Sequence, residues 1–466
     1  MAADGCLPRD VVSSMKHPLL KLLLIPPPIH HEEPDSPPGS ILLDPFVYLS
    51  PRTNSTTAKG VRSDGESIFV TLWVATPPRV SCITVHCTNE KQPAFGGMPK
   101  ILCTEDDLIL IRVPVCPPLD DLLCANESDY FIYEASSKNK PPSLKLVRIP
   151  GEMKFSDNQA VLLRCRDRDM FFLAAMRRAH CPFPMRQFDL HLYNSDTERW
   201  TTKLMDVDAA QNFRYRNTDK VITIGGQHGT VAWVDLWHGI LICDLLRNNQ
   251  ELRYIELPML LAPNPGGNPM FFRNIVVLEG CIKLFEMQYM GLVSHPGCTS
   301  CMNAEGWEWE AATKILKFSD MVSANNWEED CRIKFSDVPV NSPAYARMLP
   351  LQEGEDTKLT LKRLRGGYPA LSLHDQDVVY ITSRPDSFGY NASVIAVDMR
   401  NKTIKDVADF GSERPIGYCF IYLQSAISKH LDIWSSTRNR RTAAETSLKG
   451  LAVPSSKEEV PADRRT

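Results

Sequence analysis

From Ile41 to about Asp409 the apolar residues come in short runs of four to seven, separated by polar turns. "SIFVTLWV", "DLILIRVPV", "DYFIYEA", "KVITIG", "NIVVLEG", "DVVYIT" and "SVIAVDM" are examples, rich in Val, Ile, Phe, Tyr and Trp. Most are bounded by Asn, Asp, Gly, Pro or Ser. Branched and aromatic residues fit a pleated surface, and the bounding residues favour turns, so the pattern predicts many closely spaced strands in an all-β domain.

Four segments also resemble one another: those around "YFIYEASSKNKPPSLKLVRIP", "FDLHLYNSDTERWTTKL", "GILICDLLRNNQELRYIELP" and "SVIAVDMRNKTIKDVADF". Each is an apolar strand, a polar turn and a second strand. The strand ends fall at Glu134, Asn194, Asp244 and Asp398, with gaps of 60, 50 and 154, the last near three times the second. A period of roughly fifty residues is that of a kelch-like β-propeller blade of four strands. The expectation is therefore a β-propeller of five to seven blades. A two-sheet or multi-domain β arrangement is the alternative, because polar turns look alike in any all-β protein.

The ends of the chain differ in pattern. Residues 1–40 contain "IPPPIHHEEPDSPPGS", which cannot form a helix or sheet interior and reads as a flexible arm. In "GYCFIYLQSAISKHLDIW", Phe420, Leu423, Ile427, Leu431 and Trp434 recur at helical spacing. They predict an amphipathic helix near 418–434, closing a domain of 41–434. Residues 435–466 are polar and read as a disordered tail.

Composition narrows the function classes. The apolar fraction of 43% supplies a sizeable core, and the net charge of −4 gives no footprint for nucleic acid or an anionic membrane. The 14 cysteines are dispersed, several within apolar runs, which suits reduced thiols. No apolar run reaches the roughly eighteen residues that span a bilayer. Cytoplasm or nucleus is the expected compartment, with no membrane association.

Candidate chemistry is sparse. "HPGCTSC" offers His295, Cys298 and Cys301 as zinc ligands, but a structural site needs a second pair and none follows. No G-x-S-x-G elbow exists, and "IGGQHG" and "NPGGNP" lack the Lys-Ser/Thr of a phosphate loop. No cofactor is expected. The run "VAWVDLWHGILICDLL", Val231–Leu246, is the most apolar one that still carries ionisable groups. It predicts two strands meeting at a His238–Gly239 turn, with Trp233, Asp235 and Trp237 on one face of the first. Asp235 then needs a partner such as a backbone N–H or an Arg, since an unpaired buried charge is expensive. Asp244 would start the next turn.

The same stretch carries a resemblance. "WVDLWHGILICDLL" followed by "LRYIELP" closely resembles a signature of the plant domain of unknown function 1618 family, greatly expanded in grasses. "ILLDPFVYL", "VTLWVATPPRVSCITVHC", "DYFIYEA", "DVVYITSR" and "VIAVDMRNKTI" match with it in order. Trp233, Asp235, Trp237, Gly239 and Asp244 are its structural hallmark here; many relatives carry a basic residue where this chain has His238. The resemblance implies no reaction, cofactor or catalytic residue. Some relatives carry an F-box ahead of the domain, and "LPRDVV" at Leu7–Val12 looks like the opening of one. The remaining F-box helices have no room before the prolines, which argues against a Skp1-like adaptor as partner. The expected function is a non-enzymatic protein-interaction module, a substrate receptor or scaffold with protein partners. An enzyme (hydrolase or lyase) with its site in a propeller channel is the alternative, and a zinc-dependent scaffold a third.

Overall fold

A computed structural model describes residue 34 and residues 36–431, apart from 88–97, 116–127, 137–139, 180–185, 208–212, 259–260, 262–266, 291–307, 322–325, 343–344, 346–358, 384–391 and 410–421. The named elements are twenty-five strands and a few 3-10 turns. Five sets of four consecutive strands form antiparallel meanders. Blade 1 is β5 (Lys100–Glu105), β6 (Leu108–Pro114), β7 (Ser128–Glu134) and β8 (Ser143–Val147). Blade 2 is β9 (Ala160–Cys165), β10 (Met170–Arg178), β11 (Gln187–Asn194) and β12 (Arg199–Asp206). Blade 3 is β13 (Lys220–Gly225), β14 (Thr230–Asp235), β15 (Gly239–Asp244) and β16 (Leu252–Glu256). Blade 4 is β17 (Arg273–Leu278), β18 (Cys281–Met290), β19 (Glu308–Lys317) and β20 (Glu328–Lys334). Blade 5 is β21 (Gly366–Leu371), β22 (Val378–Ser383), β23 (Ser393–Asp398) and β24 (Thr403–Asp409).

The sixth blade joins the two ends of the described chain. Strand β25 (Leu423–Ser425) pairs antiparallel with β1 (Ile41–Leu49), which pairs parallel with β4 (Val80–Cys87). β3 (Ser67–Trp73) and β2 (Ala58–Val61) complete the sheet outward. Blade 6 touches the ladder of blade 1 at one pair, Phe46 opposite Lys100. The register of β1 against β4 shifts between Leu43 and Val47, around Pro45, which has no N–H to offer the ladder. Asp44 fills the gap by accepting from Phe46 N at 3.0 Å and from the Tyr48 hydroxyl at 2.6 Å.

The first strand of each meander lies against that of the next: β5 on β9, β9 on β13, β13 on β17, and β17 on β21. β25 touches both β21 and β5, which closes the circle. Six apolar clusters match the six interfaces between blades, from Leu43, Val70, Ile111 and Phe131 between blades 6 and 1 round to Leu42, Val80, Tyr380 and Val394 between blades 5 and 6. The protein is a six-bladed β-propeller. Alternation along the strands makes this possible. In β14, Val231 and Trp233 face blade 2, while Ala232 and Val234 face blade 4. Both faces of a central strand are therefore apolar, and the polar residues collect on outer strands such as β12, β20 and β24.

Four expectations are refined. Glu134, Asn194, Asp244 and Asp398 end the third strands of blades 1, 2, 3 and 5, so the repeat is real. The 154-residue gap, however, spans two blades rather than three, because long connections follow β18 and β20. β14 stops at Asp235 rather than continuing to Trp237, and Leu236–His238 form the turn. The amphipathic helix near 418–434 is not formed within the described residues. Leu423–Ser425 are strand, and only Ile427–His430 make a single 3-10 turn. The inner edge of β1 exposes backbone groups that a strand satisfies and a helix cannot. The helical spacing of Leu423, Ile427 and Leu431 is met another way: all three pack into the core between blades 6 and 1.

The connections differ between the two ends of the barrel of blades. Where the inner strands end, most turns are tight, as from Glu105 to Leu108, Cys165 to Met170, Leu278 to Cys281 and Asp398 to Thr403, and the longest runs from Lys317 to Glu328. Where they begin, the entry face, connections run from Pro114 to Ser128, Met290 to Glu308 and Lys334 to Gly366. The Asp235–Gly239 turn is the short exception on that face. No helix among the described residues is long and apolar enough to cross a membrane.

If the strap after β25 is part of the core, truncating Ile427, which is fully buried, should cost about 2–4 kcal/mol. Urea unfolding of Ile427→Ala should show a lower midpoint with an unchanged slope. A loss under roughly 0.5 kcal/mol would mean that the strap is not packed this way.

Candidate functional site

Three inner strands from different blades place polar side chains across the axis at the entry face. Lys220 begins β13, Asn274 is second in β17, and Gln424 is central in β25. Lys220 Nζ donates to Gln424 Oε1 at 2.9 Å and to Asn274 Oδ1 at 3.4 Å. Gln424 Nε2 donates to Asn274 Oδ1 at 2.7 Å. The amine thus has two amide oxygens and no carboxylate within 4.0 Å among the described residues, and burial pushes its pKa down to about 7. Further along the bore, Glu105 ends β5. Burial, with the Asp106 carboxylate beside it, pushes Glu105 up to about 8, against a hydrogen bond with Thr223. The Thr223 hydroxyl itself donates to Leu162 O at 2.7 Å.

Beside this cluster stands the Asp235 turn. The Asp235 carboxylate is buried and accepts from Arg216 N at 2.8 Å, Trp237 N at 3.0 Å and His238 N at 3.1 Å. His238 Nδ1 lies 2.9 Å from Asp235 Oδ1 and 3.0 Å from Oδ2. Backbone N–H groups are therefore the main partners of this charge, with the imidazole laid along it. Asp219 caps the same turn by accepting from Leu236 N at 2.8 Å, and burial pushes its carboxyl up to about 7. A Cβ on Gly239 would sit 2.4 Å from the Tyr254 ring, so any other residue there would displace that ring. Trp233 is fully buried and its indole N–H reaches Gln159 O in the neighbouring blade at 2.8 Å. Trp237 is partly buried, over the Arg273 guanidinium at 5.8 Å.

Arg273 carries the turn into blade 4. It is fully buried, donating to Leu236 O at 2.8 Å and to Glu286 Oε2 at 2.6 Å. Glu286 Oε1 also accepts from Leu261 N at 2.9 Å and Gln288 Nε2 at 2.8 Å. Asp244 lies on the opposite face, held by the Thr230 hydroxyl at 2.6 Å and Arg247 at 2.9 Å. The hallmark residues are thus not one site: Trp233, Asp235, Trp237 and Gly239 build the entry-face turn, and Asp244 builds a turn at the other end of the strand. His295, Cys298 and Cys301 lie outside the described residues, as does "LPRDVV".

Lys220, Glu105, Asn274 and Gln424 are not visible as a group in the sequence because they stand on four blades. The available signal was polar residues inside or at the ends of apolar runs that prove to be inner strands, as in "DKVITIG" and "FRNIVVL".

Two consequences can be measured. Removing the charge partner of a buried guanidinium strands it, so Glu286→Gln should destabilise by about 3–5 kcal/mol in chemical unfolding. Glu105 holds its proton between about pH 4.5 and 8 in the fold but not in the unfolded chain. Its raised pKa therefore contributes stability below pH 4.5 that is lost as pH rises through 8. Glu105→Gln should gain on the native protein across that window, by on the order of a few kcal/mol at pH 9. Parallel curves from pH 5 to 9 would show that Glu105 ionises normally.

Several solved structures resemble the chain in outline. The WD40 domain of SCAP from fission yeast is 11% identical, with 77% of each chain covered and a TM-score of 0.31. The β-propeller domain of the Trilobed protease from Pyrococcus furiosus is 11% identical, with 68% of this chain and 83% of that one covered and a TM-score of 0.29. A search of curated proteins finds no match. Residues 233–380, from the Asp235 turn of blade 3 into blade 5, match the family model described as "Protein of unknown function (DUF1618)".

Proposed function

We propose that the protein is a non-enzymatic interaction module, a receptor or scaffold that grips protein partners with its entry face. The observation that carries this reading is the asymmetry of the connections. On a rigid scaffold the long loops are where recognition varies at least cost to the core, and here they leave from one face while the other is stitched by tight turns and ion pairs. Arg164 bridges blades 1 and 2 there through Glu134 at 2.9 Å, and Arg400 bridges blades 4 and 5 through Asp330 at 3.1 Å. The bore supports the same reading. Its polar groups at the entry face are spent on one another, from Lys220 through Gln424 to Asn274, which favours contact over the face rather than chemistry down the axis.

The test shortens two entry-face connections, replacing residues 292–306 and 385–391 with brief Gly/Ser links. Cross-linking mass spectrometry of the tagged protein with its captured partners is then compared with that of Lys145→Glu/Lys317→Glu on the turn face. We expect the shortened protein to keep its melting temperature within a few degrees and to lose most partners, with native cross-links concentrated on the entry face. An unchanged partner set after shortening, or loss confined to the turn-face variant, would overturn the assignment.

A further inference from the structure

Three arginines on the entry face of blades 2 and 3 have no carboxylate partner among the described residues: Arg186, Arg214 and Arg216. They come from two neighbouring connections, β10 to β11 and β12 to β13, which are tied by Val207 N donating to Arg186 O at 3.1 Å. Arg186 lies over the Phe213 ring at 5.7 Å, and Arg178 lies over Phe188 at 5.2 Å. Phe213 in turn packs edge-on against Tyr254 at 5.1 Å and Phe188 at 6.5 Å. Arg178 donates to Tyr215 O at 2.7 Å and to Arg216 O at 3.3 Å, which ties the second connection to the first.

The acidic groups nearby are already committed. Asp189 pairs with Arg177 at 3.4 Å. Asp235 accepts the backbone N–H of Arg216 rather than its guanidinium, and Asp219 caps the Leu236 turn. Arg214 and Arg216 are exposed. A chain of net charge −4 thus gathers three guanidinium groups without a carboxylate partner on two adjoining connections, one of them held over the Phe213 ring.

We infer that this patch is the docking surface for an acidic segment of a partner protein, its Asp or Glu side chains gripped by Arg186, Arg214 and Arg216. The inference rests on the entry-face reading above and names the chemistry of the partner. Guanidinium forks match carboxylates in pairs of hydrogen bonds. A nucleic acid fits less well. Phe188 and Tyr215 are buried against each other, so they offer no stacking platform for bases.

The probe is a fluorescein-labelled twelve-residue peptide of alternating Glu and Gly, followed by anisotropy at low salt against the full chain, with single-stranded DNA of similar charge as competitor. Arg214→Glu/Arg216→Glu is compared with Arg199→Glu/Lys203→Glu, a charge reversal of the same size on β12. The Arg216 backbone bond to Asp235 survives the side-chain change, and equal melting temperatures of the two variants check folding. We expect the patch variant to bind the peptide at least roughly tenfold more weakly than the β12 variant, whose affinity stays near that of the native chain. Equal weakening in both variants, no binding by the native chain, or tighter binding of the DNA than of the peptide would each overturn the inference. If shortening the entry-face connections removes the captured partners while the patch variant keeps them, the inference fails and the entry-face reading stands. If neither change removes them, both fail.

Discussion

The whole ring hangs on a three-residue strand. β25 pairs with β1 at Ile41, Leu42 and Leu43, and it is the only described element that fills the inner position of blade 6. Without it, β1 would face the axis with unpaired backbone, and the inner strands of blades 5 and 1 would lose a neighbour on one side. Three ladder pairs alone are a weak lock. The side chains around them supply the rest: Gln424 bonds across the axis, Ser428 donates to Pro38 O at 2.8 Å, and Ile427 and Leu431 enter the core between blades 6 and 1. His430 reaches Asp106 at 2.5 Å on the turn between β5 and β6, with Arg166 on the same carboxylate. Those two partners outweigh burial and hold Asp106 below the usual carboxylate range. The closure is thus backbone, apolar and ionic at once.

The Asp235 turn shows how a charge can serve packing. Its carboxylate gathers N–H groups from its own turn and from the connection before β13, so the tightest connection of the entry face is also the best satisfied. Arg273 then reads out the other side of the turn through Leu236 O, and Glu286 neutralises it. Two buried charges, one on each blade, are linked through one carbonyl. Such an arrangement adds little to net stability compared with apolar packing, but it fixes how blade 4 meets blade 3.

Much of this was legible in the sequence, and the parts that were not have physical reasons. Strands with two apolar faces, as in "VAWVD" and "GILICD", can only be central, and their recurrence before polar turns marks the third strands of the blades. The hydrophobic period failed at Leu423–Leu431 because a spacing of four residues suits a helix but can also be met by a short strand and a 3-10 turn that share one core. Trp237 was placed on a strand for a similar reason: alternation continues through it, while the Asp235 carboxylate, by capping Trp237 N and His238 N, ends the ladder two residues earlier. The bore cluster and the arginine patch were hidden for another reason. The bore cluster joins residues 54 or more positions apart, and the arginine patch gathers lone basic residues whose neighbours only the ring brings near.

The order in which the ring is filled has a consequence for how the protein is made. β1 to β4 leave a ribosome ahead of the other blades, and the strand that completes their blade is the last of the twenty-five described. Blade 6 therefore waits through the synthesis of five others with its inner edge open and its core toward blade 5 uncovered. A nascent chain in that state presents a paired but unfinished sheet, the kind of surface on which a second chain's strand can land. Exchange of β25 between two chains would use the same three pairs and the same core residues, so its competitor is not a different structure but the same closure made between neighbours. The speed with which residues 423–431 find their own β1, set against the local concentration of other growing chains, decides which is formed.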